Sequence, residues 1–408
     1  MFRILSVFLA AMLCLLPVFS AAEAPMLSGR TNEDYEPLWP AAEPYGFRLG
    51  GCFGFWDMNN APYMQFVTKH FNSITCTNET KAYSLLDRNA CRKSEDGMPR
   101  MNYANADKMI ERAQSLGIAV RGHVLVWDAV MQYPWFFHEE YDEKKPFASP
   151  EVNRARLASY IDQVITHFEE KYPGVIYCWD VVNEAIGDSA SDWDAKDPRH
   201  IRVVRDGGDN LFHAHVGSDY VEYAFFCARN TVERLGADIR LFYNDYNMFM
   251  KEKRDAALAL VDSIRAFDPD GRPLIDGIGM QGYLGGYGKQ EGCLEESLIT
   301  NVKDSIRIFG TKGLEVQITE MAVRNFDPDK AAEHAAFYGR LFSEVFMKAN
   351  TEDFHPLTAV CIWGLVDADP KDTGNYVYKM NSPYGCFLNT KYQIKTCFDT
   401  VYHTLRGE

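Results

Sequence analysis

The chain has 408 residues, a formal net charge of −15 and a pI near 5.2. That acidity excludes nucleic acid and anionic membrane surfaces as partners and favours neutral ligands. The length suits one large α/β barrel or two ordinary domains.

Met1-Phe2-Arg3, an apolar run from Ile4 to Phe19 and the small residues Ser20-Ala21-Ala22 read as a secretory signal peptide over residues 1–22. The run is short for a membrane span, and no second apolar span follows. The expectation is therefore an exported chain, periplasmic or secreted, without a membrane anchor. Nine cysteines remain after the signal, an odd number whose pairing cannot be read from spacing. Cys386 and Cys397 flank a loop and could pair, whereas Cys178 and Cys361 sit in apolar strands and read as buried thiols. No metal-ligand spacing is present, and His213-Ala214-His215 reads as a loop feature, so neither a metal nor a cofactor is expected.

A proline-rich leader over residues 23–46 precedes the folded domain, which is placed at 47–408. Strands are predicted at Phe47–Phe55, Phe71–Cys76 and Ile118–Trp127, with a helix from Ala106 to Leu116 stopped by Gly117. A long helix, Pro150 to Tyr172, ends before Pro173-Gly174. The apolar run from Val175 then leads into Trp179-Asp180-Val181-Val182 and turns polar at Asn183-Glu184. Helices follow at Tyr220–Leu235, Glu252–Phe267, Glu295–Phe309, Ala331–Asn350 and Tyr392–Leu405. They are interleaved with strands at Ile239–Asn244, Ile275–Gln281, Leu314–Thr319 and Leu357–Trp363. Eight strands alternating with helices predict the α/β class, a (β/α)8 TIM barrel forming one catalytic domain. A doubly wound sheet is the runner-up, but no Gly-rich phosphate loop follows the first strand. The acidic insertion Gly187–Gly217, with Trp193, reads as a solvated loop on the active face.

The carboxyl ends of the strands carry Asn78 and Lys81, His123 and Trp127, Asn183 and Glu184, Asn244 and Asp245. Gln281 and Tyr283, Glu320, and Trp363 and Asp367 complete the series. The two glutamates end the fourth and seventh strands, which face each other across a barrel mouth. Two carboxylates flanking a bond is what glycoside hydrolysis needs, one as acid and one as nucleophile. Tryptophans there suit the C–H faces of sugars, and Asn, Gln, Lys and His suit their hydroxyls.

Six strings carry a resemblance. They are Arg121-Gly122-His123-Val124-Leu125-Val126-Trp127, Trp179-Asp180-Val181-Val182-Asn183-Glu184-Ala185 and Asn244-Asp245-Tyr246-Asn247. Gly277-Ile278-Gly279-Met280-Gln281, Ile318-Thr319-Glu320 and Trp363-Gly364 follow in order. The chain, from about Phe47 to Leu405, resembles glycoside hydrolase family 10, the retaining endo-β-1,4-xylanases. The resemblance implies Glu184 as acid/base, Glu320 as nucleophile and Asn183 on the sugar 2-hydroxyl. It implies that Asn78, Lys81, His123, Trp127, Gln281 and Trp363 line the subsites on the non-reducing side. Retention implies carboxyls about 5–5.5 Å apart. The implied partner is a polysaccharide or oligosaccharide, acted on by a monomer. The sequon Asn78-Glu79-Thr80 falls on this cleft and reads as coincidence.

Departures from the family pattern cluster around the cleft. A carboxylate that binds the next sugar out is Thr77, and the His after the third-strand Trp is Asp128. The family's His–Asp pair around the nucleophile becomes Tyr283 and Ala322, and Tyr283 could donate to Glu320 instead. A second Trp, eight residues after Trp363, is Lys371, which opens the place beside the sugar C5. These losses point to a substrate other than plain xylan, such as a hexose or decorated glycan. They also suit a carbohydrate-binding protein that has shed turnover.

Overall fold

The computed structural model describes residues 26–128, 133–187, 204–205, 208–284, 294–369 and 382–408. The signal segment with Cys14, and Trp193, Cys293 and Lys371, lie outside the described residues.

The barrel strands are β1 (Arg48–Phe53), β2 (Ser73–Cys76), β3 (Ala119–Trp127) and β4 (Ile176–Asn183), then β5 (Arg240–Tyr246), β6 (Gly277–Gln281), β7 (Glu315–Val323) and β8 (Leu357–Ile362). Each pairs in parallel with the next, and β8 pairs with β1, so the sheet closes on itself. Closure excludes the doubly wound alternative and brings all eight carboxyl ends to one mouth.

Between the strands run α1 (Ala61–His70), α2 (Ala104–Ser115), α3 (Pro150–Lys171), α4 (Tyr220–Leu235), α5 (Lys251–Phe267) and α6 (Glu296–Thr311). Two more, α7 (Ala331–Arg340) and α8 (Thr396–Arg406), follow. Helix α1 is not among the predicted elements, although its signals are present: Asn60 accepts the Tyr63 N–H and Pro62 opens the first turn. The helix expected from Ala331 to Asn350 is not uniform. It widens to a π-turn over Leu341–Val345 and tightens to a 3₁₀ turn at Phe346–Lys348. His213 and His215 belong to a short helix, Leu211–His215, rather than a loop, and His215 stacks on Phe147. Among the described residues no group of side chains could hold a metal ion, and no helix is long and apolar enough to cross a membrane.

The leader is partly structure. Tyr35 is buried against Phe398 and Tyr402 on α8, and its hydroxyl donates to Asp399 at 2.8 Å. The proposed Cys386–Cys397 pair is not formed. Both are free thiols, and the Cys397 Sγ–H donates to the Cys386 carbonyl. Cys178 and Cys361 are buried thiols, as expected.

Two packing contacts fix β3 against β4. Trp179 is fully buried and lies against Phe168 of α3, on the helix side of the sheet. A Cβ on Gly122 would come within 2.3 Å of that indole, so only glycine fits the neighbouring strand. Inside the barrel, Arg121 donates to both oxygens of Asp180 at 2.7 and 3.0 Å and to Gln317 at 2.5 Å. Burial alone pushes the Asp180 carboxyl up, but Arg121 and His123 outweigh it and hold the group below its ordinary value.

Candidate active site

Register shifts interrupt the pairing of β3 with β4 between His123 and Val126, of β4 with β5 between Asp180 and Val182, and of β7 with β8 between Ile318 and Met321. Bulges of this kind re-aim side chains at a barrel rim. The interruptions lie beside Asn183, Glu184, Asn244 and Glu320, which share one network.

Asn244 Nδ2 donates to Asn183 Oδ1 at 2.9 Å and to Glu320 Oε1 at 3.0 Å. Its own carbonyl accepts the Thr319 hydroxyl at 2.7 Å, which fixes the amide orientation. Gln281 Nε2 donates to Asn183 Oδ1 at 3.1 Å and to Glu184 Oε1 at 3.0 Å. Trp127 Nε1 donates to the other oxygen of Glu184 at 3.1 Å. The two glutamates are thus joined through Gln281, Asn183 and Asn244. Because Asn183 Oδ1 already accepts two N–H groups, its NH2 is the end that can meet a sugar hydroxyl.

Glu320 is 6% exposed. Burial raises its pKa, and Glu184 adds to this, while His123, the Tyr283 hydrogen bond and Lys81 act against it. Tyr283 donates to Glu320 Oε2 at 2.5 Å. Its own pKa is pushed well up by burial and then by the neighbouring carboxylate, so it stays a donor. Arg324 lies over the Tyr283 ring, 5.3 Å from its centre.

Glu184 itself has a positive φ of 54°, sparsely populated by residues other than glycine. The next two N–H groups, from Ala185 and Ile186, both donate to the Tyr243 hydroxyl, at 3.1 and 3.0 Å. Tyr243 in turn donates to Asp245 at 2.6 Å, and Asp245 pairs with the buried Lys253. Successive N–H groups converging on one oxygen stabilise such a left-handed kink.

On the opposite side, Lys81 is buried, donates to Asn78 Oδ1 at 3.1 Å and lies 4.9 Å from the Trp127 ring centre. Burial pulls its pKa down, against the upward pull of Glu320 and Glu184. The His123 ring meets Trp363 edge-on and its Nδ1 faces Asp180 at 2.9 Å. Glu79 accepts the Phe55 N–H at 2.7 Å.

The structure therefore brings together Asn78, Lys81, His123, Trp127, Asn183, Glu184, Gln281, Tyr283, Glu320 and Trp363 at one mouth. Two residues named at strand ends do other work. Asp245 turns to Lys253, and Asp367 ties the loop after β8 to Lys395 at 2.7 Å. Asn244, absent from the predicted site, is its centre; its place at a strand end was the signal. Tyr243 has no counterpart in the predicted site, because the groups it receives are backbone N–H, which leave no trace in side-chain chemistry.

The comparisons agree with this geometry. The family model described as "Glycosyl hydrolase family 10" matches residues 38–404. A putative endo-1,4-β-xylanase of Caldicellulosiruptor saccharolyticus is 35% identical over 76% of this chain and 95% of its own length. Endo-1,4-β-xylanase B of Butyrivibrio fibrisolvens is 31% identical over 89% of this chain, which spans only about half, 52%, of that relative. Among solved structures, the intracellular xylanase of Thermoanaerobacterium saccharolyticum superposes with a TM-score of 0.69 at 28% identity. The match covers 91% of this chain and 99% of that one. A Clostridium thermocellum xylanase module complexed with xylohexaose gives a TM-score of 0.75 at 26% identity, over 91% and 68% of the two chains. A closed eight-stranded barrel, two linked glutamates at its mouth and a family match over nearly its whole length lead to one assignment: the chain belongs to glycosyl hydrolase family 10.

Proposed function

We propose that the protein is a retaining β-1,4-glycanase that cleaves xylan or a xylan-like polysaccharide. One observation carries the reading: carboxylates just past the end of β4 and toward the end of β7 share a single hydrogen-bonded network. In the first step Glu320 attacks the anomeric carbon while protonated Glu184 gives its proton to the departing glycosidic oxygen. In the second, Glu184 takes a proton from water, which displaces Glu320 and returns the sugar with its original configuration. Asn183 holds the 2-hydroxyl of the reacting sugar. Asn78, Lys81, His123, Trp127, Gln281 and Trp363 line the non-reducing side, and Tyr283 orients the nucleophile.

Both carboxylates and all their partners come from one chain, which supports action as a monomer. The apolar segment over 1–22 supports export, to a periplasm or beyond, where polymeric glycan is met. Tyr283 on the nucleophile and Lys371 in place of a tryptophan favour a second substrate class, a hexose-containing or decorated glycan.

The test is product analysis over plain and decorated xylans and β-1,4-hexose glycans, with azide added to Glu184→Ala and Glu320→Ala. A β-configured glycosyl azide from the first and an α-configured one from the second would fix the two roles. Binding without cleavage on the whole panel would instead mark a protein that has lost turnover.

A further inference from the structure

Trp56 is 82% exposed, the most exposed of the large apolar side chains among the described residues. Leaving an indole in water is unfavourable, and tryptophan combines a broad apolar face with low conformational freedom, which suits it to a binding surface. The residue lies just past the carboxyl end of β1, at the mouth that holds both glutamates. Its loop is held in place on several sides. The Gly54 N–H donates to Asp57 at 2.7 Å, and the Phe55 N–H donates to Glu79 at 2.7 Å. The Phe55 ring meets Trp56 edge-on at 5.4 Å and takes Lys108 of α2 at the same distance.

Glu79 links this loop directly to the cleft. Its second oxygen accepts the N–H of Asn78, and the Asn78 side chain accepts from Lys81 and from Tyr83 at 2.7 Å. The indole is thus mounted through a short run of hydrogen bonds on the residues assigned to the non-reducing side. The carboxylate of Glu79 is spent on backbone, and Thr77 stands where the family offers a carboxylate to the next sugar out. Hydroxyl recognition is therefore weaker beyond Asn78 and Lys81, and an aromatic face is what the surface offers there instead.

We propose that Trp56 is the platform of a distal subsite on the non-reducing side, stacking on a sugar ring beyond those met by Asn78 and Lys81. The occupant is the far end of the same β-1,4-linked chain that enters the cleft. A planar face recognises the C–H surface of a sugar and ignores its hydroxyl pattern, so the subsite selects for chain length rather than for decoration. This rests on the glycanase reading for the identity of the ligand.

The experiment compares wild type with Trp56→Ala and Trp56→Phe on xylotriose and xylohexaose, and measures binding of Glu320→Ala, with and without Trp56→Ala, to xylo-, cello- and manno-hexaose. The expected result is a five- to twentyfold loss of kcat/KM on xylohexaose through KM, no change on xylotriose, and partial retention in Trp56→Phe. Equal losses on both lengths, or none, would overturn the proposal. If wild type cleaves no xylo-oligosaccharide, the glycanase reading fails on its own. The binding series then decides: weaker binding of any hexaose on loss of Trp56 upholds the platform, and unchanged or absent binding overturns it.

Discussion

The Tyr283 hydroxyl stands 2.5 Å from Glu320 Oε2, where the family pattern has a histidine backed by an aspartate. A neutral phenol gives one hydrogen bond and brings no charge. It lowers the pKa of a carboxyl that burial raises, and it does so without a second titrating group.

Tyr283→Phe should therefore raise the Glu320 pKa further and leave less of the nucleophile ionised at a given pH. We expect kcat/KM at neutral pH to fall by about 10²-fold, in the range for loss of one positioned donor. The acid limb of the pH–rate profile should move to higher pH. The profile of kcat/KM against pH in both proteins checks this, and an unmoved acid limb would mean that Tyr283 does not tune the nucleophile.

Glu320→Gln should abolish turnover and stabilise the fold at neutral pH. A folded pKa above the unfolded value means that ionisation is easier in the unfolded chain. The associated stability is fully present below the unfolded value of about 4.3 and is lost as pH rises through the folded pKa. The advantage of the glutamine variant should thus appear at neutral pH and vanish toward pH 4. Denaturant titrations of both proteins at several pH values measure it. A glutamine variant less stable at neutral pH would show that the surrounding donors stabilise the carboxylate more than burial penalises it.

Tyr243→Phe removes the oxygen that receives the Ala185 and Ile186 N–H groups, and leaves Ile186 only a longer contact to Asp245 at 3.4 Å. A buried N–H left without an acceptor, as at Ala185, costs about 1–3 kcal/mol. The lower denaturation midpoint should come with a fall in kcat larger than any rise in KM, because the kinked residue next to those groups is Glu184. A loss of stability with kcat intact would show that the kink at Glu184 is held by other contacts.

The barrel was legible because its strands are short apolar runs punctuated by glycine and proline, and closure follows once eight of them alternate with helices. The glutamates were legible because each stands at the polar end of a predicted strand, although β7 itself runs on to Val323. Asn244 sits at a strand end too, yet its importance comes from donating to two side chains on β4 and β7 at once, a relation between three strands. The Cys386–Cys397 pairing failed for a similar reason. Closeness along the chain does not set the direction of a thiol, and Cys397 turns to a backbone carbonyl. Asp245 does other work because Lys253, in the first turn of the next helix, is buried beside it.

Trp179 never reaches the cleft, and Gly122 is glycine only to make room for it. The same holds for Arg121 and Asp180, whose pair fills the barrel interior beneath His123. Much of what makes the string from Trp179 to Glu184 recognisable is thus a record of how two strands fit together. Replacing Gly122 alone, or Asp180 alone, damages the scaffold before it touches the chemistry. A variant that lost both glutamates but kept Gly122, Trp179, Arg121 and Asp180 would keep the packing of these two strands and so the frame of the mouth.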